Sequence, residues 1–296
     1  MKVLVYGSGV IGCYLAHVLC TAGHDVTLLA RGQWKEQLQE NGLRIRHHLQ
    51  RKNTLDHPRV IGGIEEDDAY DAVFAVMPYN RMPAILEPLA AIRSPIVVLV
   101  GNNMSPATMK REILERSVCE KQVLFGFQPT AGKRDNEKGM LICERAGIGT
   151  MDIGCLHGEA DDSTRSKLTD LFGKTGYKLH WQPDMEAYLI CHLAAVLPIC
   201  YLAYACNGDL TGSTGRQRRL MRMASREAYA IEYRISRCVY VEMFEAYCIR
   251  SLCKIFCMTD TTSYENLRRH VTFIRHSDLS DGDACHDEII RRRKSQ

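Results

Sequence analysis

The sequence predicts an α/β protein in two parts: a doubly wound, mostly parallel sheet over residues 1–182, and a smaller all-helical domain over residues 183–296. Three observations carry this. Short, continuously apolar runs alternate with helix-like stretches in the first part, as buried parallel strands and their crossover helices do. The first of these runs leads straight into Gly7-Ser8-Gly9-Val10-Ile11-Gly12. After Pro183 the strand signal fades and long helix-like segments take over.

The elements follow in order. Val3–Tyr6 reads as a strand entering a tight turn. A helix-like stretch from Cys13 to Ala22 closes on Gly23, and a second strand, Val26–Ala30, ends on Arg31. Helical candidates Trp34–Asn41 and Pro83–Ala91 alternate with strand-like runs Ala72–Met77, Ile96–Val100 and Gln122–Phe127. Met140–Cys143 and Thr150–Gly154 are expected as antiparallel additions to the sheet. Ser163–Lys174 reads as a helix capped by Ser163, and Tyr177–Trp181 as a last short strand. Beyond the boundary, Asp184–Cys206, Gln217–Tyr240 and Val241–Phe256 are long and helix-like. The longest apolar stretch, Ala187 to Cys206, carries His192 and Pro198, and is expected as a buried helix rather than a membrane span.

The glycines define the first candidate site. Gly7, Ser8, Gly9, Val10, Ile11 and Gly12 form a Gly-x-Gly-x-x-Gly motif in its strand–turn–helix–strand setting. Gly7 permits the turn, Gly9 lets a diphosphate approach the backbone, and Gly12 lets the helix pack close to the sheet. The N–H groups and positive dipole end of the following helix suit an anion. This is a Rossmann-like dinucleotide site. Arg31 selects among dinucleotides: a carboxylate at the end of the second strand bonds a ribose 2′-OH, whereas an arginine there accommodates a 2′-phosphate. No carboxylate stands between Val26 and Arg31, so the expected cofactor is NADP(H).

Composition excludes other classes. Of 296 residues, 46% are hydrophobic and 25% charged, as in an ordinary globular protein. A net charge of +3 argues for neither a nucleic-acid nor a membrane partner. The 13 cysteines are scattered without a C-x-x-C pair, and no secretory signal is expected ahead of the first strand, so a reducing cytoplasm is the expected setting. Cys253 and Cys257 lie one helical turn apart but lack further ligands at zinc-like spacing, so no metal is expected. The basic runs Arg216, Arg218, Arg219, Arg222 and Arg291–Lys294 read as solvated surface.

Several segments together resemble the ketopantoate reductase (2-dehydropantoate 2-reductase) family. They are Met1–Gly12, His24–Gly32, Val98–Met104 with its Asn102-Asn103, Val123–Phe127 through Arg134, Gly147–Gly149, Ile153-Gly154, Ala187–His192 with Leu197-Pro198, and His286–Glu288, which is similar to a late helix of one branch. The resemblance covers most of residues 1–200 and is patchy beyond. It implies NADPH-dependent reduction of a 2-keto acid to a 2-hydroxy acid, with the substrate in a cleft between the domains. It further implies that Arg31 holds the 2′-phosphate, that Asn102 lies near nicotinamide and substrate, and that Ala131 borders the cofactor.

The chain departs from that family where the chemistry is done. The family's proton-donating lysine falls on Ile190, and its substrate-binding asparagine on Ala194. These two substrate-pocket positions share one helix face. A second family lysine falls on Met77, and the family's Asn-Gly pair has become Asn102-Asn103. A positioned general acid contributes roughly 10²–10⁴-fold to such a reaction, and a 2-keto acid's carboxylate wants a cation or several donors. None of Ile190, Ala194 and Met77 offers these. Among stand-ins, His192 lies about 200° around the helix from Ile190, Glu186 would repel a carboxylate substrate, and Tyr79 and Asn80 sit at a strand end where they could donate hydrogen bonds.

The catalytic residues are therefore left unassigned. Two readings stay open: an NADP(H)-dependent oxidoreductase acting on a 2-keto acid or related carbonyl, and a non-catalytic NADP(H)-binding protein of the same fold. A third, lesser reading is a structural protein with a vestigial nucleotide cleft. The expected partner is a small-molecule carbonyl substrate, with a homodimer as an option for the second domain.

Overall fold

The opening apolar run folds as β1 (Lys2–Tyr6), the strand on either side of which the main sheet winds in opposite directions. The computed structural model describes residues 1–65, 68–145, 147–229, 271–275 and 287–291, and divides into two units, Met1–Glu186 and Ala187–Gln296.

In the first unit β1 is followed by α1 (Val10–Thr21), β2 (Asp25–Leu29), α2 (Gly32–Asn41), β3 (Leu43–His47), β4 (Lys52–Asp56) and β5 (Arg59–Ile61). Then come β6 (Ala72–Val76), a 3-10 turn Tyr79–Ile85, α3 (Leu86–Ala91), β7 (Ile96–Val100), α4 (Pro106–Glu115) and β8 (Gln122–Phe127). The unit closes with β9 (Ala131–Asp135), β10 (Met140–Glu144), β11 (Thr150–Gly154), α5 (Asp162–Phe172) and β12 (Lys178–Trp181).

The main sheet has eight strands in the order β12-β11-β8-β7-β6-β1-β2-β5. Neighbours are parallel except β11, which runs antiparallel to β8. The chain leaves β1 to one side for β2 and returns to the other for β6, which makes the carboxyl end of β1 a topological switch point. The central strands are buried on both faces. Val3, Val5, Phe74 and Val98 join a core with Leu15, Val18 and Leu19 of α1, while the alternate residues Leu4, Val73 and Val97 are equally buried. Each such side chain contributes about 1.5–3 kcal/mol of burial.

Three expectations need correction. Met140–Cys143 does not extend the main sheet: β10 belongs to a separate four-stranded sheet, β4-β3-β10-β9, packed on α1. Its hairpin partner is β9, and its alternating inward residues Leu141 and Cys143 meet α1 rather than the edge of β8. Ser163 is not the cap of α5. The chain at Asp161 is extended, and its carboxylate accepts from the Thr164 backbone N–H at 2.8 Å, so the cap lies two residues earlier. The first helix starts at Val10 rather than Cys13, because Gly9 already has the extended conformation of an N-cap.

The second unit begins within α6 (Met185–Ala205) and continues through a 3-10 turn, Leu210–Gly212, to α7 (Gly215–Tyr229). It also carries an antiparallel ribbon of β13 (Val271–Arg275) and β14 (Asp287–Arg291), so Asp287 and Glu288 stand in a strand rather than the late helix expected of them. The predicted helix 241–256, the end of 217–240, and Cys253 and Cys257 lie outside the described residues, as does the charge run beyond Arg291. α6 is apolar as predicted but mostly half-buried: of its residues only Met185, Glu186, Leu189, Pro198 and Leu202 are buried. Among the described residues it is the one helix whose length and composition would suffice to cross a membrane.

Candidate functional site

Parallel strands end together, so the loops that follow β1, β2, β6 and β7 gather at one edge of the sheet. The glycine loop is the centre of that edge. Gly7 has φ +123°, which a side chain rarely tolerates, and a Cβ there would run into the Val76 carbonyl oxygen at the end of β6. A Cβ on Gly12 would overlap the Gly7 carbonyl oxygen. Gly9 is the opposite case: a Cβ there would meet no protein atom within 4 Å. Two glycines are thus required by the fold itself, and the third opens the loop to something outside it.

The helix that follows the loop is suited to an anion. α1 has no side-chain cap and no acidic residue in its first turn, and its first backbone bond runs from Cys13 N–H to Gly9 O at 2.9 Å. The earlier N–H groups have no partner within the helix and add to the positive end of the dipole. Beneath the loop the Cys13 thiol donates to Ser8 O at 3.3 Å. Burial pushes it up to about 12, so it stays neutral and brings no competing negative charge.

Cations flank the loop. Arg31 caps α2 in extended conformation just beyond β2, and its guanidinium donates to the Tyr6 phenol at 3.1 Å. Arg134 of β9 donates to Ser8 O at 3.1 Å, and its guanidinium lies 5.0 Å from the ring of Trp34 in the first turn of α2. Neither Tyr6, Trp34 nor Arg134 was singled out from sequence as a site residue. Tyr6 is hidden inside an apolar run, and Arg134 reaches the loop from another sheet.

Asn102 follows β7 and is exposed, whereas Asn103 is buried and donates to Leu99 O at 3.2 Å. A Cβ on Gly101 would lie 3.1 Å from Met77 O, so the ends of β6 and β7 abut. Met77 itself borders the loop, its Cγ 3.5 Å from where a Gly7 Cβ would be. Ala131 opens β9, three residues before Arg134, and is exposed. Tyr79 and Asn80 enter a 3-10 turn, with the Tyr79 hydroxyl 3.1 Å from Ser105 Oγ. Glu186 is buried, and its carboxylate lies 3.1 Å from His157 Nε2 within the first unit. Ile190 and Ala194 lie four apart on α6, half-buried, and the His192 ring stacks on Tyr188 at 6.2 Å. Among the described residues no group of three metal-ligating side chains forms.

A fold with this loop matches known proteins. The family model described as ketopantoate reductase PanE/ApbA matches residues 3–158, and one described as L-2-amino-thiazoline-4-carboxylic acid hydrolase matches residues 206–287. A 2-dehydropantoate 2-reductase of Mesorhizobium japonicum is 31% identical over 114 residues, which are 38% of this chain and 32% of that protein. The chain therefore matches about a third of that relative's length. A solved 2-dehydropantoate 2-reductase from Porphyromonas gingivalis superposes with a TM-score of 0.65 at 15% identity, over 91% of this chain and 98% of that one. A PanE/ApbA family ketopantoate reductase from Ralstonia eutropha gives 0.62 at 20% identity, over 86% and 81%. D-mandelate dehydrogenase, solved with NADH and anilino(oxo)acetate, gives 0.61 at 13% identity, over 91% and 98%. At such identities the structures share the fold.

Proposed function

The chain belongs to the ketopantoate reductase family, and from that premise we propose that it binds NADP(H) and acts as an oxidoreductase on a small carbonyl compound. The observation that carries the cofactor reading is Arg31, a cation capping α2 where a ribose-binding carboxylate would stand, held by Tyr6. The loop fits the group: Gly9 is open, the α1 N-terminus is uncapped, and two arginines flank it.

A bound nicotinamide supplies a hydride to a carbonyl carbon, and the carbonyl oxygen must then receive a proton. The chain's residues bind and orient the coenzyme through the Gly7–Gly12 loop and Arg31. Asn102, exposed after β7, is available to hydrogen-bond a substrate or carboxamide. The family's proton donor and substrate asparagine are replaced by Ile190 and Ala194, which can neither donate a proton nor hold a carboxylate. Ketopantoate itself is therefore a poor substrate, and a neutral carbonyl suits the chain better.

The same two residues favour a second reading, a non-catalytic NADP(H)-binding protein. Following NADPH absorbance against a panel of 2-keto acids and neutral carbonyls separates the two. Oxidation of NADPH by any panel member supports the enzyme; tight binding with no turnover across the panel supports the non-catalytic protein. The described cysteines are all free thiols, which supports a reducing cytoplasm as the setting.

A further inference from the structure

We infer that Arg134 is a second cationic ligand of the coenzyme, gripping the diphosphate at the glycine loop while Arg31 grips the 2′-phosphate. The inference rests on the NADP(H) reading above and adds to it a residue from outside the β–α–β unit.

The glycine loop supplies backbone donors but no side-chain cation. Ser8, Val10 and Ile11 carry no positive charge, and a dinucleotide diphosphate carries two negative ones. Arg134 stands at that gap. One of its five guanidinium N–H donors goes to Ser8 O, in the middle of the loop, and among the described residues this is the one side-chain hydrogen bond it makes. No carboxylate among the described residues pairs with it. Its guanidinium therefore keeps its charge and spare donors beside the helix end that attracts an anion.

Its position is also fixed in advance. Trp34 is 6% exposed, and the guanidinium carbon of Arg134 lies over its ring, 5.0 Å from the centroid. The strand that carries Arg134 is pinned to the start of α1: a Cβ on Gly132 would lie 3.0 Å from Val10 Cγ1 and would collide with the Ile142 carbonyl oxygen. Arg134 is exposed, but its contact with the ring and its place on a strand mean that it loses less freedom on binding than an unsupported flexible cation would. Lysine could supply the charge at this point but neither the fork nor the stack.

Because the diphosphate is common to both coenzymes, Arg134 should serve NADPH and NADH alike, unlike Arg31. The test is calorimetric titration of both dinucleotides into the wild-type chain and the Arg31→Ala, Arg134→Ala and Arg134→Lys variants at several ionic strengths. Arg134→Ala should weaken NADPH and NADH by the same factor, about tenfold, and should flatten the salt dependence of NADH binding. Arg134→Lys should recover part of both. If the wild type binds both dinucleotides and Arg134→Ala leaves NADH binding unchanged, the inference is overturned while the NADP(H) reading stands. A loss that Arg134→Lys shares in full, with the salt dependence unaltered, marks Arg134 as a strut of the loop and also overturns it. A wild type that binds neither dinucleotide overturns the NADP(H) reading first.

Discussion

The Arg31 guanidinium donates a hydrogen bond to the Tyr6 phenol at 3.1 Å, joining the last residue of β1 to the cap of α2. A carboxylate in that place would neutralise the cation. A phenol orients it and leaves the charge for a ligand. Tyr6 is 3% exposed, so the bond is anchored in the sheet. Replacing Tyr6 with Phe keeps the ring and removes the acceptor. The expected outcome is a few-fold weaker NADPH affinity with NADH nearly unaffected, read by fluorescence titration. Equal losses for both coenzymes would show that Tyr6 supports the loop rather than Arg31.

The three glycines should separate in mutagenesis. Alanine at position 7 or 12 meets backbone carbonyl oxygen and should lower the melting temperature of the ligand-free protein, with strain of about 1–3 kcal/mol. Alanine at position 9 meets nothing within 4 Å, so the melting temperature should stay within about 2 °C. Dinucleotide binding should nevertheless fall by at least about tenfold, because the added methyl occupies the approach of the diphosphate. Calorimetric melting and titration of the three variants checks this. A Gly9→Ala protein that binds normally would remove Gly9 from the site.

On α6 the expected experiment is a gain of function. Ile190→Lys with Ala194→Asn places a proton donor and a hydrogen-bonding amide on one helix face. Turnover of ketopantoate with NADPH should rise by about 10²-fold or more over the unaltered chain. Substantial ketopantoate turnover by the unaltered chain would instead mean that residues 187–194 are matched to the family out of register.

A pH dependence follows from the layer between α1 and the small sheet. His47 donates to or accepts from Thr54 Oγ1 at 2.9 Å and lies 5.0 Å, ring to ring, from His17, which pairs with Asp56 at 2.7 Å. Burial, and then the charges of His17, Lys52 and Arg145, push His47 down to about 4, against the pull of Asp56. The unfolded chain then binds a proton near pH 6.5 that the folded one refuses. Stability from this group is complete above about pH 6.5 and is lost as the pH falls toward 4, at no more than about 1.4 kcal/mol per pH unit for one proton. Denaturant unfolding between pH 7 and 4 should show that loss, and His47→Gln should flatten it.

Much of the fold was legible because its signals are local. β1, β2, β6, β7 and β8 are runs of largely apolar residues buried on both faces. The small sheet was missed although Leu43-Arg44-Ile45-Arg46-His47 alternates inward and outward residues. The alternation is half charge, and a strand that packs on a helix instead of another sheet has no long apolar run to announce it. α4 falls between two expected strands, where a helix is anticipated, but its bounds were not drawn although Ser105-Pro106 is a helix opening, with Pro106, Met109 and Ile113 turned inward. At the site, Gly7, Gly12 and Arg31 were readable because a turn, a close approach and a charge are properties of single positions. The roles of Tyr6, Trp34 and Arg134 were not: Tyr6 meets Arg31 only once β1 pairs with β2, and Arg134 meets Ser8 and Trp34 only once β9 is brought against α1 and α2. Resemblance to the reductases thins beyond residue 200, and there a second family model begins to match, at residue 206.

The most direct measurement is calorimetric titration of the purified chain and its Arg31→Ala variant with NADPH and NADH. The expected result is that the unaltered chain binds NADPH more tightly than NADH, and that Arg31→Ala erases that preference by weakening NADPH alone. No heat with either dinucleotide, or an equal loss for both in the variant, would contradict it.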